Sequence, residues 1–263
     1  MSSRRWVPEL EILAREAGEI VLKGFKGAKK ISQKSSAMDI VTEYDTEVEA
    51  FLRKTIEMRF PGHRVLGEEE EYLSHEAMGS ILPERGFVWV VDPIDGTLNF
   101  AYGIPLLAIS IALYLDSELI AGVVYNPVID EMFSAEQGQG ATCNGVPIKV
   151  SAVNELEKAL VAISVGRRKQ DSKLFKLADL VGGMRALGSA ATALAYVAAG
   201  RIDGYWERDL NLWDIAAGLL LVKEAGGKVA LWPEGQHIQI RDLEILGTNS
   251  QLFSEISSER VKL

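Results

Sequence analysis

The 263-residue chain has one cysteine, Cys143, and three histidines, His63, His75 and His237. A single thiol cannot close an internal disulfide, which fits a reducing compartment. No two histidines stand at a metal-ligand spacing such as HxxxH, so any metal chemistry must rest on carboxylates and hydroxyls. Positive charge is also scarce, with 28 Lys and Arg against 37 Asp and Glu and a formal net charge of −9. A broad electrostatic grip on nucleic acid wants the opposite sign, which argues against DNA or RNA as the primary substrate. No apolar run approaches the ~20 residues of a membrane-spanning helix. Behind Arg4-Arg5 the acids Glu9, Glu11, Glu16 and Glu19 interrupt any signal-peptide core, so a cytoplasmic location is expected. Internal repeats, low-complexity tracts and Pro/Ser-rich linkers are absent as well.

What is present is an ordinary globular composition, 48% apolar and 25% charged. A chain of this length buries about three quarters of its unfolded surface. Apolar positions from Val7 to Phe25 keep the helical period, with Pro8 near the first turn and Gly24 and Gly27 at the end. A second helix fits 43–59 and stops at Pro61-Gly62. The polar segment between them, Lys29 to Met38, reads as a mobile loop.

From Phe87 the character changes to strands. Phe87–Val91 is a buried strand, and 105–150 reads as an antiparallel meander with tight turns at 116–118 and at Asn144-Gly145. Beyond 150, strands at 159–164, 202–206, 228–232 and 244–247 alternate with helices at 172–181, 189–199, 214–225 and 250–260, a pattern of layered α/β packing. Two lobes, 1–150 and 151–263, sharing an interface within one compact unit, are expected.

Five stretches carry candidate chemistry. Asp92-Pro93-Ile94-Asp95-Gly96-Thr97 places two carboxylates at the carboxyl end of a buried strand, where α/β proteins bind ligands. Pro93 is expected to end strand pairing there. The amides after Gly96 can open a short helix that favours an anion; an Asp-Pro turn followed by an Asp-Gly turn would look the same. Glu68-Glu69-Glu70-Glu71 is either a solvated acidic face or a run from which one Glu points inward. Asp214 in Trp213-Asp214 is a helix N-cap or a buried acid that needs partners. Gly188-Ser189-Ala190 is a small-residue helix entrance able to offer amides. Asp39, in Asp39-Ile40-Val41-Thr42, lies just beyond the lysine-bearing loop, and Thr42 suits the N-cap of helix 43–59 better than Asp39 does.

Taken in order, these stretches resemble the inositol monophosphatase family from about residue 8 to 250. The most specific signatures are Trp89-Val90-Val91-Asp92-Pro93-Ile94-Asp95-Gly96-Thr97-Leu98-Asn99-Phe100, Trp213-Asp214-Ile215-Ala216-Ala217-Gly218 and Glu224-Ala225-Gly226-Gly227. The resemblance implies an α+β, layered αβαβα sandwich of the fructose-1,6-bisphosphatase-like sugar phosphatase type. It implies hydrolysis of a phosphate monoester with two to three Mg²⁺ per site, Mn²⁺ being a possible substitute. Glu68, Asp92, Asp95, Asp214 and the Ile94 carbonyl would hold metal. Thr97, held by Asp39, would help deprotonate the attacking water, with Glu68 in the catalytic set. Ile94, Asp95, Gly96, Thr97, Gly188, Ser189, Ala190, Glu207 and Asp214 would surround the substrate. Lithium sensitivity and a homodimer are further implications.

The substrate expected first is inositol 1-phosphate. Fructose 1,6-bisphosphate, NADP and 3′-phosphoadenosine phosphates are the alternatives within the superfamily, and a transcription-accessory binding role is the alternative outside catalysis. Arg167-Arg168-Lys169 is either a site for a second phosphate or a solvated loop. Cys143 reads as structural.

Overall fold

A computed structural model describes residues 5–27, 29–36, 39–69, 82–163, 177–234 and 237–262, without the side chains of 33–36, 39 and 259–262. Helix α1 (Val7–Lys26) carries Pro8 in its first turn, and its Leu10, Leu13, Ala14, Ala17 and Val21 form one buried stripe. The segment expected as a mobile loop is instead largely a ladder. β1 (Ile31–Ser36) pairs antiparallel with β2 (Asp39–Thr42), Ile31 opposite Thr42. The β-branched residues Ile31, Ile40, Val41 and Thr42 favour that pairing despite the lysines around them. Helix α2 (Glu43–Arg59) starts at Thr42, which forms a capping box with Asp45.

Seven strands form the larger sheet in sequence order, β3 (Arg64–Gly67), β4 (Phe87–Asp95), β5 (Ala108–Leu115), β6 (Glu118–Asn126), β7 (Glu131–Glu136), β8 (Ala141–Cys143) and β9 (Val146–Ile148). Only β3–β4 is parallel; the rest is the expected meander. Asp116 and Ser117 both take positive φ in the two-residue turn between β5 and β6, as do Asn144 and Gly145 between β8 and β9. Strand β4 runs past Pro93. Pairing skips from Asp92–Ser110 to Asp95–Ala108, so the proline sits in a bulge and does not end the strand. A short helix α3 (Thr97–Tyr102) follows.

The second sheet has the order β11-β10-β12-β14-β13, from β10 (Leu160–Ile163), β11 (Gly183–Arg185), β12 (Gly204–Leu210), β13 (Lys228–Trp232) and β14 (Leu243–Thr248). Helices α4 (Ala190–Ala198), α5 (Leu212–Glu224) and α6 (Phe253–Lys262) belong to this half. Strand β11 was not expected; of the helix expected at 172–181, the first half falls outside the described residues and the second is helical only at Leu177 and Ala178.

Alternation along β4 sorts the layers. Trp89 and Val91 face α1 and α2, whereas Val88 and Val90 face α4 and α5. The α4–α5 layer also packs on β12, β13 and β14, and α6 covers the far side of that sheet with Trp206, Leu246 and Ile256. The order is therefore α, β, α, β, α. Among the described residues no helix is long and apolar enough to cross a membrane.

The middle layer is thin because its helices are built from small residues. A Cβ added at Gly218 on α5 would lie 2.5 Å from Cβ and Cδ1 of Leu194 on α4. Replacing Gly218 with Ala therefore has to push the two helices apart. It should cost about 1–3 kcal/mol, read as a lower urea midpoint at unchanged slope. An unchanged midpoint would mean the crossing is looser than it is drawn.

Candidate active site

The two parallel strands set the first pair of acids. Gly67 of β3 lies opposite Val91 of β4, so the residues that follow, Glu68 and Asp92, come side by side where the β3–β4 ladder ends. Asp92 is buried, and its Oδ1 accepts the Ile94 amide at 3.0 Å across the Pro93 bulge. Asp95, at the end of β4, turns to the start of α4. Its Oδ2 accepts the Ser189 hydroxyl at 2.5 Å and the Ala191 amide at 2.7 Å. Ser189 is the N-cap of α4, so the same residue caps a helix and holds a carboxylate. Asp214 is not the N-cap of α5, since Asn211 takes that place. Asp214 sits three residues in, and its Oδ2 accepts the Asn211 amide at 2.7 Å.

Gly96 joins β4 to α3 at φ +93°, a conformation that favours glycine, and a Cβ there would meet the carbonyls of Leu106 and Gly188 at 3.0 and 3.1 Å. Asn99 on α3 donates to the Leu106 and Leu187 carbonyls at 2.6 and 2.8 Å, which fixes the loop carrying Gly188 against α3. Gly188, Ser189 and Ala190 thus reach the edge of the acid group. Glu207 on β12 accepts the hydroxyl of buried Tyr205 and lies within electrostatic reach of Asp95 and Asp214.

Thr97 corrects one expectation. Its hydroxyl donates to Asp45 Oδ1 at 3.0 Å, with the Ile94 carbonyl a second acceptor at 3.1 Å. The carboxylate that holds Thr97 is therefore Asp45 on α2, not Asp39. Asp39 opens β2, and its side chain lies outside the described residues. The other oxygen of Asp45 is occupied by the Thr42 amide at 2.9 Å and the Thr42 hydroxyl. Thr42-x-x-Asp45 is a capping-box pattern visible in the sequence, and its acid was the signal for this residue.

The acidic run also departs from expectation. Glu68 is half-buried and Glu69 is buried, so both described members point inward. Glu70 and Glu71 fall outside the described residues, as do Arg167, Arg168 and Lys169. Burial pushes the Cys143 thiol up, as does Glu131 beside it, which disfavours a thiolate nucleophile.

Electrostatics show how tightly the acids converge. Burial holds the Asp92 carboxyl well above the usual range, and the charges of Glu68, Asp95, Asp214 and Asp45 push it further. Asp214 is raised by burial first and then by Glu68, Asp95 and Glu207, against the Asn211 amide. Asp95 is pushed up to about 7 by burial and by Glu207, although Ser189, Ala190 and Ala191 pull it down. Asp45 is pushed up to about 6, again mainly by burial. Among the described residues no group of three His, Cys, Asp or Glu side chains is drawn together closely enough to hold an ion as it stands. Like charges repel, and Asp45, Asp92, Asp95 and Asp214 each rest on local hydrogen bonds. The donor set is nevertheless all hard oxygen, with an excess of negative charge that a divalent cation would relieve.

The comparisons decide the family. The family model described as "Inositol monophosphatase family" matches residues 6–262. The chain belongs to the inositol monophosphatase family. It is 39% identical over 251 residues to "Inositol monophosphatase 3" of Solanum lycopersicum, covering 91% of this chain and 90% of that one. It is 37% identical over 252 residues to "Nus factor SuhB" of Pseudomonas aeruginosa, covering 92% and 91%. Among solved structures it resembles the Thermotoga maritima IMPase with a TM-score of 0.83, at 32% identity over 96% of each chain. The inositol monophosphatase fold is thereby shown, and with it membership among the phosphoric monoester hydrolases.

Raised carboxyl pKa values mean that the folded chain retains protons that the unfolded chain releases. For Asp95 and Asp45 the folded values are about 7 and about 6, against 3.8 for the free side chain. Their stabilising contribution is complete below the unfolded value and is lost as pH rises through the folded ones. The thermal midpoint of the ion-free protein should therefore fall between pH 5 and pH 8. Added Mg²⁺ or Mn²⁺ should raise it more at pH 8 than at pH 5. A midpoint that stays level across this window would show the acids titrating as ordinary surface carboxylates.

Proposed function

We propose that the chain hydrolyses an inositol monophosphate, with Mg²⁺ held by Glu68, Asp92, Asp95, Asp214 and the Ile94 carbonyl. The observation that carries this reading is the Thr97–Asp45 hydrogen bond set beside a group of buried, mutually repelling carboxylates. When bound, divalent ions supply charge neutralisation for the phosphate and acidify the attacking water.

The chain's own residues do the rest. Thr97 donates its proton to Asp45, which leaves the Thr97 oxygen able to accept a proton from water. Asp45, whose carboxylate already accepts the Thr97 hydroxyl, is placed to take up that proton. The first amides of α3, which follow Asp95 and Gly96 directly in the chain, suit the phosphate oxygens. Glu207, anchored by Tyr205, accepts hydrogen bonds from vicinal hydroxyls, which favours a polyol over a substrate without them. Ser189 and Gly188 close the same side. A homodimer in the cytoplasm, inhibited by Li⁺, belongs to this reading and rests on the family.

One relative is named as a Nus factor, which supports a binding role as the second reading. The Thr97–Asp45 relay favours hydrolysis, because recognition of a macromolecule has no use for it.

A panel of inositol 1-phosphate, fructose 1,6-bisphosphate, NADP and 3′-phosphoadenosine 5′-phosphate, scored by phosphate release with Mg²⁺, tests the substrate. Inositol 1-phosphate should give the largest kcat/KM, and a preference for either nucleotide would sink the assignment. Asp92→Asn should lower activity by roughly 10³-fold or more while leaving the protein folded, since it removes a repelled charge. Thr97→Ala and Asp45→Asn should lower kcat by about 10²–10⁴-fold with little change in KM. A change confined to KM would mean that the pair binds substrate and moves no proton.

A further inference from the structure

The face of α2 that carries Asp45 continues one and two turns along with Glu49 and Arg53. The metal and proton reading above makes no use of either. Glu49 is 4% exposed. Its Oε2 accepts the backbone amide of Glu69 at 2.7 Å. Its Oε1 takes Arg53 Nη2 at 3.4 Å, and Arg53 Nη1 donates to the Val65 carbonyl at 3.1 Å. The pair therefore grips β3 at two points, one inside the strand and one just past its end.

Glu68 lies between those points. It follows directly on the last pair of the β3–β4 ladder, Gly67–Val91. Gly67 records how close the grip is, since a Cβ there would lie 2.5–2.7 Å from the Glu49 carboxyl atoms. A buried carboxylate is costly to keep ionised, and Arg53 together with the Glu69 amide compensates it. What this arrangement fixes is the backbone from which Glu68 projects toward Asp92.

We infer that Glu49 is a positioning residue for Glu68: its carboxylate, fastened to the Glu69 amide and steadied by Arg53, sets where Glu68 meets the other acids. The inference rests on the metal reading of the site. Helix α2 then serves the site twice, through Asp45 on Thr97 and, one turn later, through Glu49 on the Glu68 turn. Reach to the Glu69 amide is the property that matters, more than charge.

Two conservative variants separate reach from charge. Glu49→Asp keeps the charge and withdraws the oxygen, whereas Glu49→Gln keeps an acceptor oxygen at full length and loses the charge. Mn²⁺ binding to the folded, substrate-free protein, followed by electron paramagnetic resonance, is the readout, with circular dichroism confirming the fold. Partners that orient a metal ligand are typically worth 10–100-fold in affinity, so Glu49→Asp should weaken Mn²⁺ at least 10-fold. Glu49→Gln should stay within about threefold of the parent. In a Glu68→Gln background the Glu49→Asp change should add nothing, because the ligand it positions is already gone.

Equal Mn²⁺ affinity in Glu49→Asp and the parent overturns the inference. So does the reverse order, with Gln weakened and Asp normal, or full additivity with Glu68→Gln. Gly67→Ala crowds the Glu49 carboxylate from the other side and should also weaken Mn²⁺ at least 10-fold. It decides the question if Glu49→Asp does not fold, and parent-like affinity there overturns the inference. Absence of Mn²⁺ binding by the parent protein sinks the metal reading itself, which is a separate result.

Discussion

The constraint on which this structure turns is mutual repulsion among buried and half-buried acids. Asp45, Glu68, Asp92, Asp95, Asp214 and Glu207 form one connected set of electrostatic neighbours, with burial the largest cause that raises the four aspartates. At an effective dielectric near 20, each unit-charge pair at 4 Å would cost about 4 kcal/mol. No chain assembles such a group without opposing donors. Here the donors stand at helix starts. Asp45 and Asp214 each take an N-cap amide at the head of α2 and α5, and Asp95 takes the Ala191 amide and the Ser189 cap of α4. Helix N-termini carry positive partial charge, so the acids sit where the fold best tolerates them.

The layered fold follows from the need to bring those helix starts to one place. The parallel β3–β4 pair delivers Glu68 beside Asp92, and the bulge at Pro93 swings Asp95 toward α4. The small-residue crossing of α4 and α5 lets both helices fit one layer between the sheets, with their N-termini beside the end of β4. Ser110 on β5 donates to the Trp213 carbonyl at 3.2 Å, which pins the first turn of α5 to the larger sheet. Site and core are thus held by the same contacts, and acids supplied by both halves of the chain belong to one group.

Strong periodicity made most elements legible in sequence. Helix α1, helix α2 with its Thr42 cap, the meander from β5 to β9 and the strand–helix alternation beyond 150 all follow from apolar spacing and turn residues. Two features were hidden because their local signals point elsewhere. The β1–β2 ladder, with three serines and a lysine in β1, owes its form to pairing, which composition does not display. Strand β4 continues through a proline because a bulge absorbs the missing donor. In the site, the acids at strand ends and helix starts were visible as candidates. The partner of Thr97 was not, because an acid at the third position of a helix reads as a cap, and Asp45 is both a cap and the Thr97 acceptor. Sequence spacing places residues along one element. It does not say which of two nearby aspartates, Asp39 or Asp45, faces a threonine fifty residues away.

That threonine ties the two halves of the chemistry together. Thr97 has one hydroxyl proton and two acceptors within reach, Asp45 Oδ1 at 3.0 Å and the Ile94 carbonyl at 3.1 Å. The same Ile94 carbonyl belongs to the proposed ligand set, and an oxygen engaged there is a poor acceptor for Thr97. A cation held by that carbonyl would favour Asp45 as the acceptor of the Thr97 proton, leaving the Thr97 oxygen available to the attacking water of the proposed reaction. The proposed base and the charge it serves would in this way be coupled through one carbonyl. A chain with the acids but a different acceptor arrangement at Thr97 would bind cations without that coupling.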